Sequence, residues 1–171
     1  ADVFSLADRT LNGRYKLVDN ASAEITSAAQ LVGGISLLFG DSRGSISQWF
    51  MVRDTDGEPR FMRIRDFHLG DSAVVQIRAE QRRKGFVALD SAGQLGVFHS
   101  TAHRTLLIEK VTNGAGLMTL SPRANRLLIE ADGKLQGLAL SNPHPEISWS
   151  SLWEKVWYEN YDEPRHVWQS T

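Results

Sequence analysis

One local pattern occurs three times in this chain, and it constrains the fold more than any other feature. Ile35-Ser-Leu-Leu-Phe-Gly-Asp-Ser-Arg-Gly-Ser-Ile-Ser-Gln-Trp49 is the first copy. Phe86-Val-Ala-Leu-Asp-Ser-Ala-Gly-Gln-Leu-Gly-Val-Phe98 is the second, and Leu127-Leu-Ile-Glu-Ala-Asp-Gly-Lys-Leu-Gln-Gly-Leu138 the third. Each is a short apolar strand, a turn with an aspartate and a closing glycine, then an alternating strand. A tight hairpin needs a residue that tolerates positive φ, and Gly44, Gly93 and Gly133 provide it. Asp41, Asp90 and Asp132 can bond nearby backbone and start the turn. An aliphatic residue stands two places after each glycine (Ile46, Leu95, Leu135), and a large apolar one five places after it (Trp49, Phe98, Leu138).

The glycines lie 49 and 40 residues apart, the period of propeller blades. Flanking segments fit four-stranded blades. Arg60–Phe67 alternates apolar and basic residues, as an outer strand with one wet face would, and Thr105–Val111 is its counterpart. Ala73–Ile77 and Gly116–Leu120 are candidate innermost strands, and Arg14–Val18 reads as an outer strand of an earlier blade. The expected fold is all-β: about three WD40-like β-propeller blades, a partial propeller, with a short C-terminal helix. The blades fall at 20–67, 68–111 and 112–148, within a repeat domain of 1–148. A ring needs about four to eight blades, so three leave it open. The alternative is a β-sandwich or barrel built from similar hairpins.

Residues 149–171 break the pattern. Trp149, Leu152, Trp153, Val156 and Trp157 recur at helical spacing, and the spacing predicts one apolar helix face. Such a face is a candidate interface, because tryptophan suits boundaries between apolar and polar surroundings. It is expected to pack on the third blade, near Leu138 and Leu140.

Composition narrows the function by exclusion. The formal net charge is −1, with 19 basic and 20 acidic residues, so no global field draws the chain to nucleic acid. There is no cysteine, hence no disulfide framework, thiolate metal site or cysteine nucleophile. His99 and His103 are four apart but have no evident third ligand, so a surface pair is the plainer reading. Leu31-Val-Gly-Gly34 and Asn113-Gly-Ala-Gly116 lack the continuation of a phosphate cradle and read as turns. No Gly-x-Ser-x-Gly elbow occurs. No catalytic residue, cofactor or metal is expected. Arg82, Arg83 and Lys84, near Arg78, form a basic run that could dock an acidic partner, although Glu80 beside it favours a solvated loop.

The ending Ser148-Trp-Ser-Ser-Leu-Trp-Glu-Lys-Val-Trp-Tyr-Glu-Asn-Tyr161, with Glu163-Pro-Arg-His-Val-Trp-Gln-Ser170, resembles one bacterial family. It is similar to the long-form permease subunit (the PstC type) of phosphate-specific ABC transporters. There, a soluble insertion follows the first membrane helix, and a tryptophan-rich segment leads to the next. The resemblance implies a non-catalytic domain on the periplasmic side of the inner membrane, serving protein–protein interaction or structural support of phosphate import. Its implied partners are the membrane-embedded part of the permease, a phosphate-binding protein or a second copy. The alternatives are an anion-sensing regulatory module, or a free-standing propeller enzyme or lectin.

Overall fold

The computed structural model describes residues 1–53, 55–121, 126–131 and 133–139. They form thirteen strands in four antiparallel sheets. The first is a two-stranded ribbon, β1 (Asp2–Phe4) with β2 (Leu11–Arg14). Sheet one follows in chain order: β3 (Ile25–Gln30), β4 (Ser36–Asp41), β5 (Ser45–Arg53) and β6 (Pro59–His68). Sheet two repeats it with β7 (Val74–Ala79), β8 (Gly85–Asp90), β9 (Gln94–His99) and β10 (Arg104–Lys110). Sheet three has three strands among the described residues: β11 (Leu117–Leu120), β12 (Arg126–Ala131) and β13 (Lys134–Ala139).

Local chemistry explains the shared hairpin of the first two sheets. The Asp41 carboxylate accepts the backbone N–H groups of Arg43 and Ser45, each at 2.9 Å. Asp90 does the same for Ala92 and Gln94, at 2.9 and 2.8 Å. One carboxylate oxygen thus closes the turn that positive φ at glycine bends: +78° at Gly44 and +86° at Gly93. Gly133 has φ of +71°; Asp132 lies outside the described residues.

The sheets are held by packing across their faces. β8 is buried along all six residues, and its alternation supplies two cores. Phe86 and Ala88 join Leu38, Ile46, Phe67 and Phe98 between sheets one and two. Val87 and Leu89 join Leu95, Val97, Met118, Leu127, Ile129 and Leu138 between sheets two and three. Fully burying one such side chain stabilises by roughly 1.5–3 kcal/mol. Phe86 and Phe98 stack at 4.9 Å between centroids, and Phe67 meets both edge-on at 5.1 and 5.5 Å.

Residues 60–67 are the outermost strand of sheet one, and 74–79 and 117–120 begin sheets two and three. The strand expected at Arg14–Val18 differs: β2 ends at Arg14, and beyond it Tyr15 still exchanges backbone bonds with Ala1, at 2.8 and 2.6 Å. Tyr15 turns its ring edge-on against Phe61, 5.4 Å away, and the Lys16 ammonium donates to the Asp19 carbonyl at 3.2 Å. The helix expected over Trp149, Trp153 and Trp157, and its packing near Leu140, lie outside the described residues.

Candidate interaction surface

The connection from each outermost strand to the next innermost strand crosses the hairpin turn of its own sheet. Leu69 N–H donates to the Gly44 carbonyl at 2.9 Å. Val111 and Thr112 donate to the Gly93 carbonyl at 2.9 and 3.2 Å. Both turns are therefore roofed by backbone. A Cβ on Gly44 would stand 1.6 Å from the Gly70 carbonyl oxygen, and one on Gly93 2.2 Å from that of Thr112. Gly133 has no described atom within 4 Å of that position.

Polar bridges then lock sheet to sheet. Thr26 donates its hydroxyl to the Val74 carbonyl at 2.8 Å. Gln76 donates to the Gly116 carbonyl and accepts from Met118 N–H, both at 2.9 Å, and Arg78 reaches the Met118 carbonyl at 3.2 Å. Ser100 donates to the Gln48 carboxamide oxygen at 2.8 Å, with both side chains buried. These bridges hold the innermost strands and the outer flank in fixed relation. No signal in the sequence singles out Thr26, Gln48, Gln76 or Ser100, because their partners lie 40 or more residues away.

The basic run does not form a free cluster. Lys84 donates to the Val32 carbonyl, and Arg83 pairs with Glu80 at 3.0 Å. Arg78 is spent on Met118. Along β6, Arg63 is tied to Asp66 and Asp19. Partial burial opposes its charge, but the two carboxylates outweigh this and hold the guanidinium above its ordinary pKa. His99 and His103 also diverge. His99 accepts the Ala102 N–H at 3.2 Å, while His103 bonds the Asp66 carbonyl at 2.7 Å. The Leu31–Gly34 segment is the hairpin turn between β3 and β4, with Gly33 and Gly34 both at positive φ.

Exposed apolar side chains occur on sheet one (Ile35 and Met62 among them) and at the two ends of the arc. On the ribbon, Phe4 pairs across the strands with Leu11. They are 57 % and 49 % exposed, and Leu6 between the strands is 94 % exposed. At the other end, Leu117 and Leu128 of sheet three are 67 % and 40 % exposed, while their neighbours Met118, Leu127 and Ile129 fill the core. The alternation Val3-Phe4-Ser5-Leu6 was the available hint for the ribbon. Exposure of either end depends on which faces the other sheets cover.

No family model matches the chain, and no curated protein matches it. Solved structures do. Sqt1 from Chaetomium thermophilum superposes with a TM-score of 0.69 at 12 % identity, over 99 % of this chain and 41 % of its own. A chain of a mitotic checkpoint complex gives 0.63 at 11 %, over 81 % and 41 %. The C-terminal WD40 domain of Sif2 gives 0.58 at 11 %, over 67 % and 34 %. The fold is a WD40-like β-propeller, open rather than closed. The chain spans about two fifths, or a third, of the length of these propeller chains.

These findings correct the resemblance to the phosphate permease. The likenesses are to WD40 proteins, and no family model or curated protein supports a permease. The tail that carried the resemblance, Ser148 to Ser170, lies outside the described residues, and an aspartate–glycine hairpin is local chemistry that many blades can use. Phosphate import, the periplasmic side of the inner membrane and the partners inferred from them (the permease's membrane part, a phosphate-binding protein, a second copy) are corrected with it. Among the described residues, no helix is long and apolar enough to cross a membrane. Of the alternatives, a free-standing propeller fits the likenesses better.

Proposed function

We propose that this chain is a non-catalytic protein-interaction module, a rigid arc of blades that receives β-structure of a partner at its N-terminal ribbon. The observation that carries this reading is the exposed Phe4–Leu11 pair with Leu6 beside it. A two-stranded ribbon is marginal by itself in water, and clustered exposed apolar side chains favour association. A partner strand presenting aromatic or β-branched residues would bury this pair at about 0.2–1 kcal/mol per cross-strand contact. The scaffold character of the fold supports the non-catalytic part.

The test is a double variant, Phe4→Ser with Leu11→Ser, compared with the parent chain as bait for proteins of the same cell. A partner held by the parent and lost by the variant, with melting temperature unchanged, supports the reading. Equal retention by both overturns it. Turnover of any substrate that vanishes on mutating one residue would overturn the non-catalytic half.

A further inference from the structure

Sheets one and two repeat with a shift of 49 residues, and the same backbone bond marks both. Ser42 N–H donates to the Glu24 carbonyl and Ser91 N–H to the Ala73 carbonyl, each at 2.8 Å. The shift sets Asn20 at the place of Leu69, and Ser47 at that of Gly96. Leu69 is 1 % exposed and helps fill the junction between sheets one and two. It lies so close to Gly96 that a Cβ there would stand 2.7 Å from Leu69 Cδ1. In front of sheet one this plug is missing. Asn20 bends back on its own turn, its carboxamide oxygen accepting the Ser22 N–H at 2.9 Å and the Ser22 hydroxyl at 2.8 Å. Ser47 carries the Cβ that Gly96 lacks. A cavity of about 220 Å³ remains.

Its lining sorts into two parts. Leu17, Val18, Ile25 and Phe39 form an apolar wall. Asp41 and Arg43 bring opposite charges, and among the described residues neither has an ion-pair partner. One Asp41 oxygen closes the turn, and the other carries no bond among the described residues. Arg43 donates one guanidinium nitrogen to the Ser22 hydroxyl at 2.6 Å, and its other two carry no bond among the described residues. Arg63 also lines the cavity but is committed to Asp19 and Asp66.

We propose that this cavity binds a free aliphatic α-amino acid. Its ammonium pairs with Asp41, its carboxylate with Arg43 and the Asn20 amide N–H groups, and its side chain packs on Leu17, Val18, Ile25 and Phe39. Complementary charge selects this class. A ligand carrying one sign alone would leave Asp41 or Arg43 unmatched, and a phosphate would face the Asp41 carboxylate. Size agrees: sites for drug-sized ligands run about 300–1,000 Å³, so this smaller cavity suits an occupant no larger than one amino acid. The inference does not rest on the ribbon reading, since none of Phe4, Leu6 and Leu11 lines the cavity.

Calorimetry of the full chain with L-leucine tests the proposal. Two analogues run beside it: 4-methylpentanoate, which lacks the ammonium, and isopentylamine, which lacks the carboxylate. L-leucine should bind with a Kd below about 1 mM, and each analogue at least about tenfold more weakly. Arg43→Gln should weaken L-leucine at least about tenfold at an unchanged melting temperature, because the only side-chain bond it removes is the one to Ser22. Asp41→Asn keeps an oxygen to close the turn and should weaken binding to the same degree. If that variant fails to fold, Arg43→Gln and the analogues still decide. Weaker binding of L-leucine than about 1 mM, an analogue that binds as tightly as L-leucine, or undiminished binding by Arg43→Gln each overturns the proposal.

Discussion

The hairpin turns at Gly93 and Gly133 share positive φ, at +86° and +71°, yet the described residues crowd only the first. At Gly93 the connection to the next sheet lies on the turn, with Val111 and Thr112 bonded to the glycine carbonyl. At Gly133 no described atom comes within 4 Å of a Cβ. Glycine therefore answers two demands in sheets one and two, backbone angle and close approach. In sheet three the described residues impose only the first. The same contrast runs through the sheets themselves. Sheet two has packed cores on both faces, whereas sheet three has one packed face and one that exposes Leu117 and Leu128.

Substitutions at the turns should separate the two demands most sharply. Gly44→Ala and Gly93→Ala are each expected to destabilise by about 3 kcal/mol or more, adding backbone displacement to φ strain. Gly133→Ala should cost only about 1 kcal/mol, the left-handed penalty of a Cβ. Urea unfolding of the three variants gives the values. If Gly133→Ala matched Gly93→Ala, the third turn would be roofed as closely as the second, and the contrast would break.

The bridge between sheets one and two comes next in size. Ser100→Ala should destabilise by about 1–3 kcal/mol, because it leaves the buried Gln48 side chain without its donor. Gln48→Leu with Ser100→Ala should recover part of that loss, since both polar groups are then gone. Strictly additive losses, the double variant losing as much as the two singles together, would deny that the bond matters.

The smallest effect is expected on the open face of sheet three. Leu128→Ser should change stability by less than about 0.5 kcal/mol, as for exposed sites generally, whereas Leu127→Ala, one residue away and fully buried, should cost about 2–5 kcal/mol. Thermal melts of the two variants measure the ratio. A large loss from Leu128→Ser would mean that this face is covered in solution.

Sequence reading reached the hairpins because their causes are local. An aspartate two and four residues before the N–H groups it accepts, a glycine at the bend and period-two alternation all lie within a dozen residues. It erred where it relied on alternation alone, as at Arg14–Val18, where β2 ends at Arg14 and Tyr15 makes the last backbone bonds to the ribbon. It erred again where a short tryptophan-rich tail stood for a family. At the basic run Arg82–Lys84 the nearby Glu80 was legible, but the partners of Lys84 and Arg78, Val32 and Met118, were not, because they are distant in sequence.

By itself, then, the amino-acid order determined the repeat, its turns, its all-β class and the inability of so few blades to close a ring. Those follow from φ preferences, side-chain periodicity and counting. The tertiary structure alone decided which glycines carry a backbone roof, which polar residues bridge the sheets, and which apolar side chains remain in water at the ends of the arc. Each of these depends on contacts between residues dozens of positions apart. Such contacts are set by how the sheets stack, and a local pattern carries no record of its neighbour across the stack.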